Sequence, residues 1–138
     1  METYRLKDFP DPELVAAARE ARTRAHAPYS SFRVGAAVRA GSGRIWTGAN
    51  VENAVYGLTV CAERVALWRA WMEGERAFVR LVVVSDRERW TPPCGACRQV
   101  MMELAGPALE VVLVQGEEVR VYRLRELLPL AFDREQLA

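Results

Sequence analysis

Cys61, Cys94 and Cys97 are the only cysteines in a chain of 138 residues. An odd count without a secretory leader pattern argues against a disulfide framework. The Cys-x-x-Cys spacing of Cys94 and Cys97 is more often a metal or redox site than a pair of buried free thiols. Positions three apart on a helix share a face, so these two can converge on one ion. Cys61-Ala62-Glu63-Arg64 opens one expected helix, and Pro92-Pro93-Cys94-Gly95-Ala96-Cys97-Arg98-Gln99 opens the next. Helix N-termini favour thiolates through their dipole and their free N–H groups. If both helices start at the same edge of a parallel sheet, Cys61 joins the other two. Three thiolates on tetrahedral zinc leave one position open, as catalytic sites do, whereas a structural site closes with a fourth Cys or His. The single histidine, His26, falls in an early loop, where a packing or loop role is commoner than ligation.

Glu63 is the proton carrier such a site needs. Alone, a first-turn glutamate only favours its helix. Two residues from a ligand of an open zinc site, its carboxylate can take a proton from water and return it to substrate. Three thiolates outweigh the charge of one zinc ion, which makes a bound water a weaker acid than neutral ligands would. A nearby cation offsets this, and Arg64 is expected to hydrogen-bond the thiolates. For Arg98 that role and an ordinary helix-surface role stand about level. A structural zinc module would have a closed site and no use for Glu63. A thiol oxidoreductase would leave Cys61 and Glu63 unexplained.

The elements that must position these residues can be read in turn. Asp11 caps and Pro12 opens a helix from about Pro12 to His26. Arg33 to Ala40 reads as a strand. Gly41-Ser42-Gly43 turns it into a second strand, Arg44 to Asn50, antiparallel to the first. After a loop, Cys61 to Glu73 reads as a helix apolar around much of its circumference, hence buried, through Val65, Leu67, Trp68, Trp71 and Met72, with Gly74 ending it. Leu81 to Val84 and Leu109 to Val114 are β-branched runs expected of strands covered on both faces. They flank a helix from Gly95 to Ala105. Val119 to Tyr122 and a short helix from Leu124 close the chain. The β-α-β-α-β centre calls for parallel strands and right-handed crossovers. The expected architecture is a three-layer α/β/α sandwich on a mixed five-stranded sheet, one catalytic domain over residues 1–138.

Composition narrows the function. The net charge is +1, with 51% hydrophobic and 27% charged residues. This excludes a basic nucleic-acid footprint over the whole domain and an acidic disordered tail. The longest apolar runs are too short to span a membrane. The N-terminal stretch lacks the apolar core of a signal peptide, so a cytoplasmic protein is expected. Of 19 basic residues only Lys7 is lysine, and both asparagines fall in Asn50-Val51-Glu52-Asn53. Clustering of a scarce residue points to a job for a side-chain amide, or to turn chemistry.

Cys-x-Glu followed by Pro-Cys-x-x-Cys is the zinc deaminase signature. With Tyr29-Ser30-x-Phe32-x-Val34-Gly35-Ala36-Ala37, Asn50-Val51-Glu52-Asn53 and Leu127-Leu128-Pro129-x-x-Phe132, the chain resembles the small cytidine deaminases of nucleoside salvage over nearly its whole length. The resemblance implies one zinc ion per chain on Cys61, Cys94 and Cys97, with Glu63 as proton shuttle and Arg64 on the thiolates. It implies that Asn50 and Glu52 bind the ribose 3′-hydroxyl and that Phe32 packs on the pyrimidine ring. It further implies a homotetramer with shared sites. There Ala54 and Tyr56 reach substrate in an adjacent subunit and Phe132 stacks on the base in another. For Asn53, turn chemistry points instead to holding the loop. The implied reaction is hydrolysis of cytidine and 2′-deoxycytidine to uridine and 2′-deoxyuridine with release of ammonia. A same-fold aminohydrolase for another nucleoside, such as blasticidin S, is the nearest rival. A polynucleotide substrate lacks the basic tract it would need.

Overall fold

The hydrophobic runs of this chain assemble into one sheet with helices on both faces. The computed structural model describes residues 1–138. In chain order the main elements are β1 (Glu2–Arg5), α1 (Pro12–Arg22), β2 (Val34–Ala40), β3 (Ile45–Ala49), α2 (Ala62–Met72), β4 (Phe78–Ser85), α3 (Gly95–Leu104), β5 (Glu110–Gln115), β6 (Glu118–Arg123) and α4 (Leu124–Leu127). The strand order is β1-β6-β5-β4-β2-β3. Only β4 and β5 are parallel neighbours; every other pairing is antiparallel.

Alternation along the strands decides which layer each residue joins. Ala36 and Val38 of β2, Leu81 and Val83 of β4, and Val111 and Leu113 of β5 face Ala62, Ala66, Leu67 and Ala70 of α2 and Cys97 and Met101 of α3. Ala37, Val82, Val84, Val112, Val119 and Val121 face the other way, against Leu14, Val15 and Ala18 of α1. The expected three-layer sandwich is therefore the observed one. No helix is long and apolar enough to cross a membrane.

Four expectations need correction. The sheet has six strands, not five, because Glu2–Arg5 pairs with the free edge of β6, from Glu2 opposite Val121 to Arg5 opposite Glu118. Its residues are largely exposed, so no apolar alternation marked it. The first helix stops at Arg22 rather than His26. Thr23, Arg24 and Ala25 donate to carbonyls three residues back, which tightens the chain out of the helix. The second helix is buried on one side only: Trp68 and Met72 are 45% and 81% exposed. The hairpin also enters the sheet through β2, which separates β3 from β4. β3, β4 and β5 still point the same way, so α2 and α3 both start at one edge.

Two glycines set how closely helices approach. A Cβ on Gly35 would lie 2.1 Å from the Ala18 carbonyl oxygen, and one on Gly48 would lie 2.5 Å from Ala62 O and Ala66 N. The second approach seats the first turn of α2 directly on β3.

Candidate active site

Cys61 is the N-cap of α2 and Cys94 the N-cap of α3, each in extended backbone. Cys97 follows one turn into α3 and is buried. Cys61 Sγ and Cys94 Sγ are 3.8 Å apart, and Cys94 Sγ donates to Cys97 Sγ at 3.4 Å. All three sulphurs lie within 4.8 Å of one another. Zn–S bonds near 2.3 Å at tetrahedral angles set neighbouring sulphurs about 3.8 Å apart. The two separations across Cys94 lie near that spacing, and the donor set is the soft one zinc prefers. His26 is not among the clustered residues; its backbone instead pairs with Asn50 and Glu52.

The electrostatics single out Cys61 as the sulphur that ionises most readily, while Cys97 is pushed up by its hydrogen bond with Cys61 and by burial. The Cys61 thiol is held down to about 5, first by hydrogen bonding with Cys97 and also by Arg64. Arg64 donates through Nη2 to Cys61 Sγ at 3.3 Å. Its Nε is buried and makes no hydrogen bond. The same contact, led by Cys61, raises the Arg64 guanidinium further. Arg98 takes no sulphur. It donates through Nε to Pro93 O at 2.8 Å and through Nη1 to Leu127 O at 2.7 Å. It therefore ties the Cys94 loop to the end of α4.

Glu63, at the second position of α2, is 4% exposed. Burial pushes its carboxyl up to about 7, and the charge on Cys61 adds to this. A carboxyl with a pKa near neutrality can both accept and donate protons.

Most of the other expected residues lie on irregular chain outside the helices and strands. The Val51–Val60 bridge sets Asn50 and Glu52 beside the entry to Cys61. The Asn50 amide is buried. Its Nδ2 donates to Phe32 O at 2.8 Å and its Oδ1 accepts from Val34 N at 2.8 Å. It thereby braces the chain at the start of β2. One Nδ2 hydrogen remains for a substrate. Glu52 Oε1 accepts from Tyr29 N at 3.0 Å and Ser30 N at 3.1 Å, and its Oε2 accepts from Ser30 Oγ. These donors, Ser30 Oγ first, hold the Glu52 carboxyl below the usual range. Asn53 Oδ1 accepts from Val55 N at 2.8 Å, the expected loop-holding bond.

Phe32 is half-buried and packs on the same core cluster as Cys61. The Arg87 guanidinium lies 5.1 Å from its ring centroid, a cation over an aromatic face. Sequence reasoning missed Arg87 and Ser30, although Ser30 stood inside a quoted motif. Glu52, Tyr29, Ser30, Tyr56 and Thr59 line a cleft of ≈ 350 Å³. Tyr56 is 75% exposed, and Ala54 is exposed on the same loop. Phe132 is also exposed, with its carbonyl accepting from Gln99 Nε2 at 2.7 Å.

Comparison with known proteins agrees with this geometry. Residues 10–114 match the cytidine and deoxycytidylate deaminase zinc-binding region. A cytidine deaminase of Halalkalibacterium halodurans is 49% identical over 90% of this chain and 95% of its own. A probable cytidine deaminase of Dictyostelium discoideum is 45% identical over 89% and 84%. Among solved structures, the cytidine deaminase of Burkholderia pseudomallei superposes with a TM-score of 0.84 at 50% identity, covering 90% of this chain and 100% of that one. The enzyme of Mycobacterium tuberculosis gives 0.80 at 39%, over 91% and 98%. Likeness over nine-tenths of the chain, together with three cysteine sulphurs gathered at the starts of two helices, places it in the zinc-dependent cytidine deaminase family.

Proposed function

We propose that this chain hydrolyses cytidine and 2′-deoxycytidine to uridine and 2′-deoxyuridine with release of ammonia, in the cytoplasm, as a step of pyrimidine nucleoside salvage. The observation that carries the reading is the three-sulphur cluster with Glu63 buried beside it. Cys61, Cys94 and Cys97 hold one zinc ion per chain. Bound there, the ion supplies Lewis acidity that makes a water molecule nucleophilic near neutral pH. Glu63 takes the proton this water loses and passes it to N3 of the pyrimidine as the new C–O bond forms at C4. Glu63 then takes the remaining hydroxyl proton and passes it to the amino nitrogen, which leaves as ammonia while C4 becomes a carbonyl. Arg64 tempers the excess negative charge of the thiolates.

Binding orients the ring. Phe32 packs on the base, and Glu52 and the free Nδ2 hydrogen of Asn50 take the 3′-hydroxyl, which can donate to one and accept from the other. No residue in this set addresses a 2′-hydroxyl, so both nucleosides are substrates. In a homotetramer, Ala54 and Tyr56 reach the site of one neighbour and Phe132 stacks on the base in another. The exposure of the large apolar side chains Val55, Tyr56, Leu58, Trp68, Met72 and Phe132 supports such an assembly, which would cover them.

The test is direct. Zinc-replete protein is incubated with cytidine, and ultraviolet absorbance and ammonia release are followed. Conversion should be evident, and Glu63→Gln should keep its zinc and lose turnover by about 10³-fold or more. Near-normal turnover in Glu63→Gln would sink the assigned role.

A further inference from the structure

One turn grips the Glu52 carboxylate on three sides. Tyr29 N and Ser30 N both donate to Oε1, at 3.0 and 3.1 Å. An ionised carboxylate oxygen accepts about two hydrogen bonds, so Oε1 is full. The Ser30 hydroxyl takes one position on Oε2 and leaves one open. The direction of that hydroxyl is not free. Phe32 N donates to Ser30 Oγ at 3.0 Å, so the oxygen already accepts, and its own proton goes to Glu52. Asn50 Nδ2 meanwhile holds the carbonyl of the same Phe32. The N–H and C=O of the residue assigned to the base are thus held by Ser30, which grips Glu52, and by Asn50. Glu52 has a flexible stem and lines an open cleft. Without the grip it would lose orientation freely.

We propose that Ser30 is the positioning residue for recognition of the 3′-hydroxyl: its hydroxyl, aimed by the Phe32 N–H, fixes Glu52 with a single acceptor position facing the cleft. The proposal rests on the assignment of Glu52 to the ribose made above. It makes Ser30 act through Glu52 rather than on substrate. Its absence should therefore be felt only by substrates that carry the hydroxyl Glu52 reads.

The experiment compares kcat/KM for cytidine and 3′-deoxycytidine in the wild type, Ser30→Ala, Ser30→Thr and Glu52→Gln, with zinc content measured for each. The wild type should prefer cytidine. Ser30→Ala should narrow that preference by about tenfold, the size expected for one lost hydrogen bond to a charged group. The loss should fall on KM for cytidine, with much smaller changes for 3′-deoxycytidine and with zinc retained. Ser30→Thr keeps the hydroxyl and should restore the preference. Should the alanine variant not fold, Ser30→Cys, similar in shape but a weak donor, should give the same narrowing. Equal losses on both substrates would make Ser30 a merely structural residue and overturn the proposal. So would an unchanged ratio in Ser30→Ala when Glu52→Gln collapses it. An unchanged ratio in Glu52→Gln would instead overturn the assignment of Glu52 on which the proposal stands.

Discussion

Replacing Gly48 by alanine tests whether close packing of α2 on β3 is what brings Cys61 to the other sulphurs. The added Cβ would lie 2.5 Å from both Ala62 O and Ala66 N and 2.9 Å from Val65 Cβ. Two of these are backbone atoms, so no side chain can swing away. Restoring ordinary contact near 3.4 Å requires α2 to retreat by about 0.9 Å. Cys61 is the N-cap of that helix and Glu63 sits in its first turn, so both move with it. The sulphurs now stand 3.8 and 3.4 Å apart across Cys94. A shift of about 1 Å at one of three ligands leaves no good tetrahedron, and misplacement of that size costs about 10²-fold in rate. Overpacking alone costs about 1–3 kcal/mol of stability. Gly35→Ala is the control, because its Cβ would press α1 instead. The expected outcome is comparable destabilisation of both variants in urea, with weakened zinc retention and a large fall in kcat/KM for Gly48→Ala alone. A folded Gly48→Ala that keeps one zinc per chain and turns over within a few-fold of wild type would refute the argument.

Two further perturbations read the site and the scaffold separately. Arg64→Met removes the guanidinium from Cys61 and should weaken zinc affinity about 10–100-fold, measured by competition with a chromogenic chelator; unchanged affinity would show that the arginine is only packing. Asp11 is 5% exposed and accepts from Arg39, Arg80 and Leu14 N, so Asp11→Ala should lose about 3 kcal/mol at pH 7. Its folded pKa is lowered from 3.8, chiefly by Arg39. The stabilisation is therefore present above the unfolded value and lost as pH falls through the folded one. The gap between wild type and variant in urea titrations should shrink well below pH 4, and a gap that stays constant would deny the ion pairs their role.

Much of this could be read from residue order because the ligands sit where local rules are strongest. Cys61 and Cys94 are N-caps, Asp11 accepts from Leu14 N as the expected cap, and Gly74 adopts the positive φ that ends α2. Helix starts and stops are set by a few adjacent residues, so sequence reveals them. The pairing of Glu2–Arg5 with β6 did not follow, since an exposed edge strand carries no burial pattern. The exposed faces of Trp68 and Met72 were misread for the opposite reason. Apolar composition reports that a face is to be covered, and not by which chain. Asn50 shows a third limit. Its scarcity marked it correctly as special, yet its amide is mostly spent on Phe32 O and Val34 N. Composition cannot show that the same amide also builds the wall of the site, at the start of β2.

The insertion of β2 between β3 and β4 has a consequence for the metal cluster. Helices α2 and α3 follow β3 and β4, which run in the same direction, so both begin at one sheet edge. Neighbouring strands are about 4.8 Å apart, and packed helices need about 8–10 Å between axes. One intervening strand places β3 and β4 about 9.6 Å apart, which matches one helix width. α2 and α3 can then lie side by side on one face without splaying, and their N-caps meet. The antiparallel strand that breaks the simple parallel reading is thus what sets Cys61 Sγ 3.8 Å from Cys94 Sγ. On this argument the hairpin turn at Gly41-Ser42-Gly43, which sends β3 back along β2, belongs to the architecture of the site as much as the helix starts do.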